Sequence, residues 1–240
     1  MAKSNISLSD IILYEDDHYL VINKPAFLST LEDRNDRLNA LNIVRADFSE
    51  AQVCHRIDKE TSGILLFAKH NEAYRHAASQ FEQRQVYKEY HAIVDGKVNV
   101  QGKIVDLPLR LSGSGKGFVD LKYGKEAVTE FETLEVFTAH SLLCCKPITG
   151  RRHQIRIHVS HHNTPIVSDT LYGGKPFLLS SIKRNYHPKA DQEELPLIRR
   201  FALHAHRIIL PGLKGDKIDV KAEYPKDFMV VLKHLRRNNR

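Results

Sequence analysis

The sequence predicts an α+β protein built on a mixed, largely antiparallel sheet flanked by helices. Residues 63–68 (GILLFA) form a near-continuous apolar run, which is typical of a strand buried on both faces. Residues 87–94 and 128–137 alternate between apolar and polar side chains, as half-buried strands do. A C-terminal helix is predicted by an apolar stripe at helical spacing, formed by Phe228, Val231, Leu232 and Leu235.

The remaining segments are shorter or less regular. Further strands are expected at residues 10–13, 19–22, 201–210 and 217–223. A helix is expected to follow Asn71, whose side chain can cap it. Residues 172–200 combine turn residues with mixed charges and no period, which predicts a surface loop. Because no low-complexity linker divides the chain, we expect one domain over residues 1–240.

Composition restricts the class of protein. The 36 Lys and Arg against 29 Asp and Glu give a net charge of +7, which indicates a polyanionic partner. No apolar run reaches membrane-spanning length and the N-terminus lacks a secretion signal, so we expect a cytoplasmic protein without a membrane partner. The 3 cysteines, two of them adjacent, give no disulfide framework. A monomer is the default expectation.

Two apparent motifs do not carry their usual chemistry. Residues 112–117 (SGSGKG) resemble a phosphate-binding loop, but Arg110 and Gly117 occupy positions that such a loop reserves for other residues. A hairpin loop is the better interpretation. The 14 histidines include close pairs, yet none stands in a zinc signature, so we expect no metal site. Cys144 and Cys145 are expected to pack in the core.

The first segment with distinctive chemistry is His-Arg-Ile-Asp-Lys-Glu-Thr-Ser-Gly at residues 55–63. Arg56 and Lys59 flank Asp58, and nearby cations favour an ionised carboxylate. An ionised Asp in a fixed orientation can act as nucleophile or general base. Taken alone, the segment also fits a structural salt bridge at the start of a strand.

The second segment is Thr-Gly-Arg-Arg-His-Gln-Ile-Arg-Ile-His at residues 149–158. Its pattern fits either a strand or a helix that runs to His162. Both interpretations place Arg152 and Arg156 on the same face, where they and Gln154 would form a clamp for phosphate or carboxylate. A solvated basic face is the alternative.

Together and in this order, the two segments resemble the RluA family of RNA pseudouridine synthases. Further matching pieces are Asn-Lys-Pro at residues 23–25, Lys-Glu-Tyr at 88–90 and Leu-His-Ala at 203–205. The resemblance implies the pseudouridine synthase fold, with an eight-stranded mixed sheet and a central cleft. Phe27 stands where the family often has Gly, which puts the shape of that loop in question. The resemblance implies a catalytic domain alone, without the S4-type RNA-binding domain of many relatives.

The resemblance also implies roles for individual residues. Asp58 would be the catalytic carboxylate, Tyr90 would stack on the flipped uracil and take the proton from its carbon 5, and Arg156 would pair with Asp58. Arg56 would fill the gap left by the flipped base, and Leu203 would pack against the uracil ring. The substrate-binding residues expected in total are Arg56, Leu203, His55, Arg152 and Gln154.

The implied reaction is the isomerisation of uridine in a structured tRNA or ribosomal RNA, and it requires no cofactor. Uridine must leave its stack before its ring can be turned over, so an aromatic platform and an inserted side chain are expected. Three routes remain open for Asp58: attack on the ring, attack on the sugar, or abstraction of the 2′ proton. A non-catalytic RNA-binding factor on the same fold and a hydrolase using His and Asp are the alternative functions.

Overall fold

The computed structural model describes residues 6–32, 38–183, 186 and 193–239. The chain divides into two compact units: a first unit of residues 1–88 with 204–223, and a second unit of residues 89–203 with 224–240. The strands are β1 (Ile12–Glu15), β2 (Tyr19–Lys24), β3 (Gln52–Val53), β4 (Ser62–Ala68), β5 (Tyr87–Asp95), β6 (Lys103–Asp106), β7 (Leu109–Leu111), β8 (Gly117–Val119), β9 (Val128–Val136), β10 (His140–Pro147), β11 (Leu203–Pro211) and β12 (Lys217–Lys221). The helices are α1 (Ala40–Arg45), α2 (Asn71–Glu82), α3 (Gln154–His161) and α4 (Lys226–Arg237).

In the first unit, strand β4 lies at the centre of the sheet. It pairs antiparallel with β2 and β3, and parallel with β11 through Ser62 opposite His204. Strand β1 extends the sheet beyond β2, and β12 pairs antiparallel with β11. Every residue of β4 is buried, which explains its almost uninterrupted apolar sequence.

The core of the first unit lies between this sheet and helix α1. Leu20, Leu65 and Phe67 from the sheet pack with Ala40 and Val44 from the helix. Helix α1 begins after Asn39, whose side chain accepts a hydrogen bond from the backbone N–H of Asn42.

The second unit is built on the antiparallel strands β5, β10, β9 and β6. Strands β7 and β8 form a separate hairpin, whose turn holds the glycine-rich residues 112–116, as the hairpin interpretation predicts. The predicted apolar stripe of helix α4 is buried in the core of this unit. The buried Arg200 guanidinium anchors this helix through two hydrogen bonds to the Asp227 carboxylate, at 2.8 and 3.0 Å.

Most of the predicted strands are observed to within a few residues, but two local predictions were wrong. Helix α2 is capped by His70, whose Nδ1 accepts from the backbone N–H of Ala73, and Asn71 is its first residue. The predicted loop at 172–200 is not confined to the surface, because Phe177 and Ile198 are buried in the core. Residues 184, 185 and 187–192 of that loop lie outside the described residues. A single domain over residues 1–240 stays a prediction.

Among the described residues, no helix is both long and apolar enough to cross a lipid bilayer. The three cysteines are free thiols, and Cys144 and Cys145 are buried as the sequence predicts.

Candidate active site

Asp58 lies in the connection between strands β3 and β4 of the first unit. Its side chain is half-buried, between the exposed Arg56 and the half-buried Lys59. The Asp58 carbonyl accepts a hydrogen bond from the Thr61 N–H at 3.0 Å, which forms the turn expected from the sequence. The buried strand β4 begins directly after this turn, at Ser62.

The backbone on both sides of Asp58 is tied to the segment that contains Asn-Lys-Pro. The Lys59 carbonyl accepts from the Phe27 N–H at 2.8 Å and from the Lys24 ammonium at 3.1 Å. The Ile57 carbonyl accepts from the Thr30 hydroxyl at 2.9 Å. These hydrogen bonds fix the backbone of the two residues adjacent to Asp58. They therefore also fix the position of the Asp58 Cα.

Lys24 is the centre of this anchor. Its side chain is fully buried, and the ammonium also donates to the carbonyls of Pro25 and Leu28, at 2.9 and 2.7 Å. A buried ammonium requires such partners, because an unsatisfied charge in the interior is costly. Phe27 has a φ of 67°, a left-handed conformation that glycine adopts at lower cost.

The other end of the turn is fixed against β11. Gly63 has a φ of 105°, and a Cβ added there would lie 2.1 Å from the Ala205 carbonyl oxygen. Only glycine allows this close approach of the two backbones. The Ser62 hydroxyl lies 2.9 Å from His204 Nδ1, and His204 Nε2 lies 3.1 Å from the Ala222 carbonyl oxygen.

This Ser62–His204 pair does not provide a hydrolase nucleophile. Since His204 Nε2 faces a carbonyl, it carries the proton, and Nδ1 therefore accepts from the Ser62 hydroxyl. Both residues are buried to within 1% of full coverage, where a substrate carbonyl has no access. The pair joins strands β4, β11 and the segment after β12.

His55 makes an internal contact that the sequence did not predict. Its Nε2 accepts a hydrogen bond from the Leu66 N–H of strand β4 at 3.1 Å, and its ring packs 5.4 Å from that of Phe81. Burial, reinforced by the positive charge of Lys88, lowers the pKa of His55 from 6.5 to about 3. His55 is therefore a neutral acceptor that supports the strand following Asp58.

Tyr90 lies on strand β5 in the second unit, directly opposite Cys145 of β10. It is half-buried and packs against the hydrophobic core of that unit. Because side chains alternate along a strand, Glu89 and His91 point to the opposite face from Tyr90.

Arg156 lies on helix α3 and is 5% exposed. Its Nε and Nη2 donate to the Asp169 carboxylate at 2.6 and 2.8 Å, in the bidentate geometry that guanidinium favours. The guanidinium also lies 4.0 Å from the Phe201 ring centre and 4.9 Å from that of Tyr172. The sequence analysis missed Asp169, although a lone carboxylate with Ile166 and Val167 before it and Leu171 after it was a signal for a buried partner.

The prediction that Arg152 and Arg156 share one face was wrong. Helix α3 begins only at Gln154, and His153 before it has a φ of 57°, so the i,i+4 relation does not apply across this boundary. Arg152 is exposed, whereas Arg156 is buried. The clamp for phosphate or carboxylate stays a prediction.

Gln154 and Leu203 also make internal contacts. The Gln154 side-chain oxygen accepts from the Thr149 hydroxyl and the Arg151 N–H, and its nitrogen donates to the Val128 carbonyl and the Thr129 hydroxyl. All four hydrogen-bonding positions of this amide are thus occupied inside the protein. The Leu203 side chain is 4% exposed and belongs to the hydrophobic core of the second unit.

Comparisons with known structures identify the class of fold. The human RNA pseudouridylate synthase domain-containing protein 4 superposes with a TM-score of 0.74 and 26% identity, over 95% of this chain and 94% of that one. The human domain-containing protein 1 gives a TM-score of 0.70 at 26% identity, over 94% of this chain and 86% of that one. The fold is that of the pseudouridine synthases, and the predicted mixed, largely antiparallel sheet with flanking helices is confirmed.

The sequence comparisons agree. Residues 18–161 match the family model described as RNA pseudouridylate synthase. Ribosomal large subunit pseudouridine synthase C of Vibrio vulnificus is 40% identical over 174 residues, which span 71% of this chain and 55% of that enzyme. The synthase C of Vibrio parahaemolyticus is 35% identical over 97% of this chain and 71% of that enzyme. Ribosomal large subunit pseudouridine synthase D of Pseudomonas aeruginosa is 35% identical over 95% of this chain and 72% of that enzyme.

The chain therefore belongs to the RNA pseudouridylate synthase family, a class of isomerases that convert uridine in RNA into pseudouridine. The resemblance found in the sequence is confirmed at the level of the family. The segment 55–63 that contains Asp58 lies inside the matched region, as do Tyr90 and Arg156.

Proposed function

We propose that this protein isomerises uridine to pseudouridine in large-subunit ribosomal RNA and that Asp58 is its catalytic carboxylate. The observation that carries the role of Asp58 is its anchoring: the carbonyls of both adjacent residues, Ile57 and Lys59, are held by hydrogen bonds while the side chain is only half-buried. A carboxylate that reacts with one atom of a nucleoside needs a fixed backbone and access to substrate.

The isomerisation breaks the bond between N1 of uracil and C1′ of the sugar and forms a bond from C5 to C1′. The proton on C5 is lost and a proton is gained at N1, so no oxidant or reductant takes part. Asp58 serves the bond-breaking half of this sequence, by attack on the ring, attack on the sugar or removal of the 2′ proton. Tyr90 is proposed to stack on the uracil and to take the C5 proton.

Arg156 is proposed to act as the guanidinium partner of the catalytic carboxylate. This role rests on the match of Arg156 to the family motif at residues 149–156. The bidentate bond to Asp169 and the contacts with the Tyr172 and Phe201 rings hold its guanidinium in place. Arg56 is exposed and has the reach to fill a gap in the RNA stack. The substrate-binding roles of His55, Arg152, Gln154 and Leu203 remain proposals, and His55 and Gln154 also make hydrogen bonds within the protein.

An exposed aromatic ring in the turn after strand β8 supports RNA as the partner. Tyr123 is 64% exposed, and the charged groups of Arg110 and Lys122 lie 5.6 and 5.0 Å from its ring centre. An exposed aromatic ring among cations can stack on a base and attract the phosphate backbone. With the net charge of +7, this surface is suited to a polyanion.

Ribosomal RNA is proposed over tRNA because the relatives from Vibrio and Pseudomonas carry the name ribosomal large subunit pseudouridine synthase. The test is to map pseudouridines in ribosomal RNA and tRNA from cells with and without the gene. The proposal predicts the loss of at least one pseudouridine from large-subunit RNA, restored by the wild-type gene. Loss of pseudouridine from tRNA alone would contradict the proposed substrate. No loss from any RNA would contradict the proposed activity.

A further inference from the structure

Three metal-ligating side chains lie together on the face of strand β5 opposite Tyr90. The alternation of β5 places Glu89 and His91 on this face, and the antiparallel register places Cys144 of β10 directly opposite His91. One carboxylate oxygen, one imidazole nitrogen and the thiol sulfur all lie within 4.8 Å of one another. His91 and Cys144 are buried, and Glu89 is half-buried. None of these three residues has a proposed role in the isomerisation.

The imidazole of His91 is oriented by a hydrogen bond at each of its two nitrogens. Its Nδ1 lies 2.5 Å from the Tyr224 hydroxyl, and its Nε2 lies 3.0 Å from Glu89 Oε1. The Tyr224 ring stacks on Phe228 of helix α4 at 4.8 Å, which fixes the hydroxyl in turn. Metal-binding histidines commonly make such a hydrogen bond through the nitrogen that does not bind the metal.

The surrounding charges favour a cation. Glu132 lies opposite Cys144 on strand β9, and Glu130 lies opposite Lys146. The Lys146 ammonium bonds to both of these carboxylates, at 2.9 and 3.1 Å. With Glu89, this region holds three carboxylates against one ammonium.

We propose that Glu89, His91 and Cys144 bind a zinc-type divalent cation. Thiolate sulfur, imidazole nitrogen and carboxylate oxygen are the three ligand atoms that zinc takes in proteins. Bonds of roughly 2.0–2.3 Å in tetrahedral geometry place ligand atoms about 3.3–3.8 Å apart. The three ligand atoms, now within 4.8 Å of one another, would move closer together on binding. Three protein ligands leave the fourth position for water. On binding, the Cys144 thiol releases its proton to solvent. The imidazole proton moves from Nε2, which binds the metal, to Nδ1, which then donates to the Tyr224 hydroxyl.

The test is to titrate the full-length, metal-free protein, carrying no histidine tag, with Co²⁺ as a spectroscopic substitute for zinc. Cobalt bound to thiolate gives a charge-transfer absorption in the near ultraviolet that oxygen and nitrogen ligands do not give. The proposal predicts this absorption at one equivalent of Co²⁺ and its disappearance when Zn²⁺ is added. Absence of the absorption in the wild-type protein would overturn the site.

Matched variants assign the absorption to these residues. Cys144→Ala should abolish it, whereas Cys145→Ala, on the opposite face of the same strand, should retain it. Tyr224→Phe should weaken Co²⁺ binding by about 10- to 100-fold while keeping the absorption, since it removes only the group that orients His91. Persistence of the absorption in Cys144→Ala would contradict the proposal.

A softer change provides the same test if Cys144→Ala does not fold. Glu89→Gln keeps the size of a half-buried side chain and removes its negative charge. We expect at least a tenfold loss of Co²⁺ affinity, measured against Glu135→Gln, which lies outside the three-residue group. Equal affinity of the two variants would contradict the participation of Glu89.

Discussion

The Asp58 turn in the first unit and the Arg156 site in the second unit are held in place by different means. Asp58 is positioned through the backbone carbonyls of its neighbours, which accept from Lys24, Phe27 and Thr30. Arg156 is positioned through its own charge, by a bidentate bond to Asp169. The turn therefore depends on hydrogen bonds to its backbone, whereas the buried guanidinium depends on an ion pair made by its own side chain.

The largest expected effect follows from breaking the buried ion pair. Asp169→Asn removes the charge that compensates the buried Arg156, and breaking such a pair costs about 3–5 kcal/mol in the free energy of unfolding. Urea denaturation of the two proteins measures the difference. The control is Asp219→Asn, which breaks an equally bidentate but exposed pair with Arg207 and should cost about 1 kcal/mol or less. Similar losses in both variants would contradict the dependence of Arg156 on Asp169.

The Asp58 turn should be sensitive to a single methyl group. Gly63→Ala adds a Cβ that would lie 2.1 Å from the Ala205 carbonyl oxygen, at a φ of 105°. We expect a loss of about 2–4 kcal/mol in unfolding free energy, from the left-handed conformation and the steric overlap together.

The matched control is Gly215→Ala, in the same unit. Gly215 has a φ of 84° and nothing within 4 Å of the added Cβ. This variant should lose only the conformational part, about 1–2 kcal/mol. Equal losses in the two variants would show that the close approach of Gly63 to β11 is not a constraint.

A smaller loss in the free energy of unfolding should appear as the pH is lowered, because of His55 near the same turn. The pKa of His55 is about 3 in the folded protein and 6.5 when exposed, so the unfolded chain takes up the proton first. The contribution of His55 is fully present above pH 6.5 and is lost as the pH falls towards 3. Between about pH 7 and about pH 5, this group should cost about 2 kcal/mol of stability.

The variant His55→Gln isolates this contribution. Glutamine keeps an acceptor for the Leu66 N–H but does not titrate. Urea denaturation at both pH values should show a smaller pH dependence for this variant than for wild type. The control is the same substitution at an exposed histidine, His161→Gln. An unchanged slope in His55→Gln would contradict the internal role of His55.

The sequence predicted those parts of the fold that depend on local pattern. The apolar run at 63–68 and the stripe of helix α4 are buried as expected. A strand buried on both faces has a continuous apolar sequence, and a helix buried on one face has apolar residues at helical spacing. The resemblance located the Asp58 segment because its residues are contiguous. The start of helix α3 was not predictable in the same way, since it depends on the left-handed conformation of His153.

Contacts between segments that are distant in sequence could not be predicted from a local pattern. Asp169 is 13 residues from Arg156 and outside any repeat, so its bond to Arg156 follows only from the folded chain. The Glu89, His91 and Cys144 group is likewise produced by the register of two antiparallel strands. No metal signature marks it, because such signatures describe ligands that are close in sequence.

The central claim is that the Asp58 carboxylate takes part in the isomerisation. Asp58→Asn keeps the size of the side chain and removes its charge, and Asp47→Asn, at an exposed position in the same unit, is the control. Tritium release from large-subunit RNA labelled at uracil carbon 5 is the measurement. The rate should fall by about 1,000-fold or more in Asp58→Asn and stay unchanged in Asp47→Asn. A rate within a few-fold of wild type in a folded Asp58→Asn protein would contradict the claim.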